Sequence, residues 1–323
     1  MKRCVLLTVA VALLGSSAIA AAQSWPARPV RIVVPFGPGG AADIFARILS
    51  ERLAPALGQS LVVDNRPGAS GMIATDIVAK SPPDGYTIGT QSTTSFTYAV
   101  HVFGAKLPYN PVRDFTPITR VALAPFMLVV HPSIPSKSMR ELADYIKARP
   151  GKMSYASFGL GSTPHVAGEM FRHATGIDYQ HVPYKGSGQA HPDLLGGQVQ
   201  MMFDTVLASV GYVRSGRLRG LAVTSSRRLG NLPDMPTAVE SGMPGFAVGS
   251  WLGIVGPAGI LAPVVARLSQ EITKVVQTPE TRARLLDLGA EVVAEPPDVF
   301  AAFIRKEIDS FGKFVRDAGL KFE

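Results

Sequence analysis

Apolar positions along the chain follow two different periods. Unbroken runs such as Ile32-Val33-Val34, Leu61-Val62-Val63, Met127–Val130 and Trp251–Val255 have the length and β-branched character of strands buried on both faces. Other segments place apolar residues three and four apart, as in Ile44, Ile48 and Leu49 after Asp43, or Leu142, Tyr145 and Ile146 after Ser138. Ser138 and Glu141 have capping-box spacing, and Pro150-Gly151 closes that helix. Read this way, strands are expected near 32–34, 61–64, 86–89, 115–130, 153–157, 179–183, 199–203, 218–224 and 251–255. Helices are expected from Asp43, and over 72–80, 136–148, 165–175, 189–195, 206–215, 263–278, 279–288 and 297–317, with loop and a short helix over 233–244. This alternation predicts an α/β protein with mostly parallel sheets and helices on both faces.

One design occurs twice. Ile32–Val34 is stopped by Pro35 and followed by Phe36-Gly-Pro-Gly-Gly40 and a helix carrying Asp43 near its start. Met153–Ser157 is followed by Phe158-Gly-Leu-Gly-Ser-Thr-Pro164 and the helix from His165, with Pro164 where a missing N–H is harmless. A strand, a glycine-rich turn and a helix N-terminus together present free amides and the positive helix end to one spot, which suits a carboxylate or phosphate. A plain tight turn has the same appearance. Neither loop has dinucleotide or P-loop spacing. Strand ends at Asn65-Arg-Pro-Gly-Ala-Ser-Gly71 and Thr90–Ser95 add further polar loops on the edge where parallel sheets bind ligands.

Met1–Ala22 has a basic start at Lys2-Arg3, an apolar run Val5–Leu14 and a small-residue end at Ala20-Ala21-Ala22. This is the anatomy of a signal peptide cleaved near Gln23; a retained anchor is the alternative. Cys4 is the only cysteine, so cleavage leaves a chain that must be stabilised by its core and is long enough for two domains. Losing Lys2 and Arg3 takes the formal charge from +8 to +6. The basic residues are scattered, with no run, so nucleic acid is not indicated, while a mildly positive surface suits an anionic ligand.

Several ordered signatures point further: Trp25-Pro-x-Arg-Pro-Val-Arg-Ile-Val-Val-Pro-Phe36, Pro38-Gly-Gly-x-x-Asp43, Asn65-Arg-Pro-Gly-Ala69, Pro83-Asp-Gly-Tyr86, Tyr155-x-Ser-x-Gly-x-Gly-Ser162, His165, His181-Val-Pro-Tyr-Lys-Gly186, Asp193-Leu-Leu-Gly-Gly197, Phe203-Asp204 and Trp251-x-Gly253. With them, essentially the whole chain after the leader resembles the periplasmic solute-binding receptors of tripartite tricarboxylate transporters, the Bug family. The resemblance implies a two-domain, type II-like periplasmic-binding-protein clamshell, or Venus flytrap. It further implies a monomer that holds a small organic acid between its lobes, through amides, hydroxyls and waters, for a tripartite membrane transporter.

Carried over residue by residue, the resemblance assigns first-lobe contacts to Phe36, Gly37, Pro38, Gly39, Gly40 and Asp43, with Ser92 and Thr93. Second-lobe contacts fall on Ser157, Gly159, Gly161, Ser162 and His165, with Tyr184, Lys185 and Asp204 nearby. His191 stands where the family is ordinarily apolar and Gln200 where it is often acidic; both are read as surface variation. The lobes are expected to be discontinuous, 23–122 plus 225–323 and 123–224, with crossovers at Phe115–Val130 and Leu218–Thr224.

Each residue also has a plainer role. Asp43 can cap its helix, His165 can be a hydrogen-bonded structural residue, Lys185 an exposed lysine, and Asp204 a strand terminator or cap. A sensor component that presents its ligand to a two-component system would share the same cleft. A periplasmic hydrolase is the competing class, built on Ser162, His165 and Asp204, but there is no G-x-S-x-G elbow. His165, His173 and His181 are eight residues apart, too far for one helical face to offer a metal two ligands. No cofactor or metal is expected.

Overall fold

The computed structural model describes residues 25–317 and 319; the expected leader, Met1–Ala22, lies outside them. In chain order the strands are β1 (Val30–Val34), β2 (Leu61–Asn65), β3 (Thr87–Ser92), β4 (Phe115–Val130), β5 (Ser154–Ser157), β6 (Gln180–Pro183), β7 (Met201–Thr205), β8 (Arg219–Val223), β9 (Gly249–Pro257) and β10 (Glu291–Glu295). The helices are α1 (Ala41–Leu57), α2 (Met72–Ala79), α3 (Ala99–Phe103), α4 (Met139–Lys147), α5 (Thr163–Thr175), α6 (Ser187–Leu195), α7 (Val206–Arg214), α8 (Ala262–Gln277), α9 (Pro279–Asp287) and α10 (Pro297–Asp317).

The strands are ordered β2-β1-β3-β9-β4-β7-β5-β6, with β8 and β10 also pairing β4. β4 is the shared member. Its stretch from Phe115 to Pro125 pairs with β9, and its stretch from Phe126 to Val130 pairs with β7 and β8. The chain therefore passes between two lobes at Pro125–Phe126. Phe45, Leu49, Ile88, Ile254 and Leu268 belong to the core of the first lobe, and Leu142, Phe171, Met201 and Phe203 to that of the second. Burying each such side chain contributes about 1.5–3 kcal/mol. This is an α/β two-domain clamshell.

The sheet is mixed, not mostly parallel. β1 pairs in parallel with β2 and β3, and β5 with β6 and β7. Every pairing made by β4 or β9 is antiparallel. Strands joined by helical crossovers run together, whereas the strands that pass between lobes run against them.

The return to the first lobe also differs from expectation. After β8 the chain stays on the second lobe: Ala238, Met243, Phe246 and Val248 are buried in its core, and the Val248 amide donates to the Thr224 carbonyl at 3.2 Å. Packing thus puts the second crossover at Val248–Gly249, where β9 begins, and not at Leu218–Thr224. Residues 233–244 form turns without the expected short helix. Their apolar side chains are single, aperiodic anchors among Pro and Gly, so no strand or helix period marks them.

Candidate functional site

A cavity lies between the lobes where four element ends meet. Phe36, Gly40, Ala41, Ala42, Ser92, Thr94, Ala124, Ser250 and Leu252 line it from the first lobe, and Phe126, Phe158, Ser187 and Thr205 from the second. Gly40 is the N-cap of α1, Ser187 is the first residue of α6, and Thr205 is the N-cap of α7. Three helix N-termini therefore face one space. The opening amides of a helix have no intrahelical partner, and its dipole places partial positive charge there. None of the lining residues is charged.

Two hydroxyls mark the cavity more sharply. Ser92 is 6% exposed and Thr205 5%, and among the described residues neither Ser92 Oγ nor Thr205 Oγ1 has a hydrogen-bond partner. Leaving a buried hydroxyl without a partner costs about 1–3 kcal/mol, a cost that a ligand or water in the cavity would offset. With helix amides beside them, these hydroxyls form a neutral donor set fit for an anion.

A carboxylate stands behind each wall. Asp43 Oδ2 accepts from the Gly39 amide at 2.9 Å and from Arg47 Nε at 3.0 Å, and its Oδ1 accepts from Asn65 Nδ2 at 3.0 Å. Burial alone would raise this carboxyl's pKa, but the bonds from Arg47, Gly39 and Asn65 outweigh it and hold the group below the ordinary carboxylate range. Gly39 has φ +83, a backbone conformation that a side chain resists, so glycine and Asp43 together shape the turn. On the other wall, Asp204 Oδ1 accepts from Ser187 Oγ at 2.7 Å and from the Thr205 amide at 2.8 Å. Its Oδ2 accepts from His191 Nε2 at 2.8 Å and from Ser209 Oγ at 2.5 Å.

Residues 45–320 match the family described as tripartite tricarboxylate transporter family receptor. The chain belongs to this receptor family. It is 37% identical over 313 residues to Protein BugT of Bordetella pertussis, covering 97% of this chain and 96% of that one. Among solved structures, R. palustris Rpa4515 with adipate is 36% identical at a TM-score of 0.88, covering 92% of this chain and 99% of that one. MatC of Rhodopseudomonas palustris, with bound malate, is 34% identical at a TM-score of 0.86, covering 90% and 100%. The receptor thus shares its fold with proteins solved around small carboxylates.

Of the residues singled out in the sequence, Phe36, Gly40 and Ser92 line the receptor's cavity. Gly37 and Pro38 instead meet the second lobe: the Gly37 amide donates to the Lys185 carbonyl at 2.9 Å, and Gly188 packs against the Pro38 carbonyl. Thr93 points the other way, where its Oγ1 accepts from the Trp251 amide at 3.3 Å. Tyr184 and the exposed Lys185 line a neighbouring groove, and Tyr184 Oη donates to Asp193 at 2.7 Å. Burial and Asp193 push the Tyr184 hydroxyl's pKa up to about 12.

The Ser157–Ser162 loop reaches the cavity only through Phe158, whose ring lies 5.3 Å from that of Phe36. Its glycines instead meet the first lobe. A Cβ on Gly159 would fall 2.8 Å from Ser70 Oγ, and one on Gly161 would fall 2.6 Å from Val102. Ser157 Oγ lies 2.6 Å from His181 Nε2, and Ser162 Oγ donates to the Gly159 carbonyl at 2.6 Å. His165 Nδ1 accepts from the Gly161 amide at 3.3 Å. Burial, with help from His181 and Arg172, lowers the His165 pKa to about 4, so the ring is neutral near pH 7. Ser162 and Asp204 thus have separate partners, and the sequence-level triad does not assemble.

Two further readings are corrected. His191 is 4% exposed and bonded to Asp204, so it is not surface variation. Gln200 ties β5 to the turn before β7, accepting from the Ser154 amide at 2.9 Å and donating to the Gly197 carbonyl at 2.8 Å. Among the cavity residues, sequence reading missed Ala41, Ala42, Thr94, Ala124, Phe126, Phe158, Ser187, Thr205, Ser250 and Leu252. Ser187 and Thr205 carried a usable signal: each stands immediately before or at a helix start, after a glycine or a strand.

Proposed function

We propose that this receptor is a periplasmic solute-binding protein that holds a small organic acid in the interlobe cavity and delivers it to a tripartite tricarboxylate-type membrane transporter. The observation that carries this reading is the pair of buried, partnerless hydroxyls, Ser92 and Thr205, set beside the N-terminus of α1 in a cavity shared by both lobes. Helix amides and hydroxyls neutralise a carboxylate without a fixed cation, and the apolar walls of Phe36, Phe126, Phe158 and Leu252 accept its carbon skeleton. Adipate in Rpa4515 and malate in MatC support the ligand class. Binding, not turnover, fits a site whose nearest carboxylates are already saturated with hydrogen bonds. Membership of the transporter receptor family supports delivery to a transporter over presentation to a sensor.

Native mass spectrometry of freshly purified protein, followed by calorimetric titration with the acid it carries, tests the reading. One bound acid per chain, displaced when Ser92 and Thr205 are replaced, is the expected result. A ligand with no acidic group, or binding indifferent to both residues, overturns it.

A further inference from the structure

The wall formed by α6 and α7 holds a polarity that the family likeness does not specify. Ser187 is 1% exposed and lines the cavity. Its hydroxyl has one hydrogen, and that hydrogen lies on Asp204 Oδ1 at 2.7 Å. The arrangement is fixed by what surrounds Asp204, which is fully buried and receives four donors, two on each oxygen: Ser187 Oγ and the Thr205 amide, then His191 Nε2 and Ser209 Oγ. A carboxylate so occupied is an acceptor at both oxygens and offers no hydrogen in return. Ser187 therefore keeps only lone pairs for the cavity. Ser92 and Thr205 differ, since their unpartnered hydroxyls are free to turn as donor or acceptor.

We infer that Ser187 is a specificity-determining acceptor, and that the receptor selects an acid bearing a hydrogen-bond donor, a hydroxyl or ammonium group, on the carbon next to its carboxylate. The inference rests on the carboxylate reading above. Placement follows from the narrowness of the gap: a Cβ built on Gly40, the N-cap of α1, would lie 3.8 Å from Ser187 Oγ. A carboxylate held at the α1 terminus thus stands beside Ser187, and because its own oxygens only accept, the first donor it can turn to Ser187 is one on its adjoining carbon. An acid with only C–H there would leave the Ser187 lone pairs buried and unpaired, which disfavours it. His191 and Ser209 are positioning residues, holding Asp204 so that it keeps the Ser187 hydrogen.

The test is calorimetric titration of the full receptor with three matched pairs differing only by a hydroxyl on that carbon: propanoate and lactate, succinate and malate, phenylacetate and mandelate. The wild type is expected to favour the hydroxy acid at least tenfold in every pair that binds. Ser187→Ala should bring that ratio to within about threefold. Asp204→Asn must keep its carbonyl oxygen on the Thr205 amide, and so on Ser187, and turn its NH2 to His191 and Ser209, so the preference should persist there. Circular dichroism checks that both variants fold. Equal affinity within pairs, or a ratio untouched by Ser187→Ala, overturns the inference and leaves the carboxylate reading standing. Failure of all six acids to bind overturns both.

Discussion

The Gly37 amide donates to the Lys185 carbonyl at 2.9 Å, joining the glycine-rich loop after β1 to the loop before α6 across the interlobe gap. Ser70 Oγ to the Leu160 carbonyl, at 2.7 Å, and Thr94 Oγ1 to Thr163 Oγ1, at 2.9 Å, repeat the contact farther along. The lobes thus meet through backbone and small polar groups around the cavity. A residue in this seam can govern ligand affinity without touching ligand.

Gly161 is such a residue. It has φ +71, and a Cβ there would lie 2.6–2.9 Å from three atoms of the Val102 side chain, on the opposite lobe. Gly161→Val is expected to hold the lobes apart and weaken binding by tenfold or more, although Gly161 lines no part of the cavity. Small-angle X-ray scattering with saturating ligand should show a larger radius of gyration than wild type. An unchanged radius with unchanged affinity would contradict the seam.

Asp43 fixes the first loop. Asp43→Ala removes acceptors for the Gly39 amide, Arg47 and Asn65 together, and is expected to cost about 1–3 kcal/mol in urea unfolding. Asp43→Asn keeps the shape but not the charge and should fall between the two. The folded carboxyl's pKa is depressed, so its contribution is present above the ordinary carboxylate pKa and is lost as pH falls through the folded value.

These relationships were unevenly legible in the sequence. β4, α4 with its Ser138 cap, and α10 were readable because a long extended run, a capping box and a sustained helical period are local signals. β10 and the helical turn of residues 94–98 were not, since the first has a charged residue at each end and the second is a polar cluster that reads equally as a loop. At the site, the Phe36–Gly40 turn was visible because strand, glycines and helix are contiguous. The convergence of Ser187, Thr205 and Ser250 was not, although the first two stand at helix starts, because it depends on how two crossovers set one lobe against the other. His191 was misread for the same reason: its partner, Asp204, is thirteen residues away and reaches it only through the packing of α6 on β7.

His165 gives the fold a pH dependence of definite sign. Its pKa is about 4 in the folded receptor against 6.5 for the free side chain. The unfolded chain therefore binds more protons between these values, so the contribution is complete above pH 6.5 and falls as pH drops towards 4. The full loss is on the order of 3 kcal/mol. Urea unfolding at pH 7 and pH 4.5 should show the decline, and His165→Gln should flatten it. An equally steep decline in the variant would assign the effect to other groups.

Ser92 and Thr205 separate a binding role from a structural one by the sign of their effects. A buried hydroxyl that serves the fold has a protein partner, and removing it destabilises. Neither Ser92 Oγ nor Thr205 Oγ1 has such a partner among the described residues, so each already carries an uncompensated desolvation cost. Ser92→Ala and Thr205→Val are therefore expected to leave stability within about 0.5 kcal/mol of wild type, or to raise it. Both should weaken binding of the native acid, each by about tenfold, since a hydrogen bond to a charged group contributes about 1.5–3 kcal/mol and water in the emptied space returns part of it. Because the two hydroxyls belong to opposite lobes and address one ligand, the double variant should lose less than the product of the single effects. Thermal unfolding without ligand and calorimetric titration of the same preparations measure both quantities. Destabilised variants with intact affinity would make these hydroxyls part of the fold and move the ligand elsewhere.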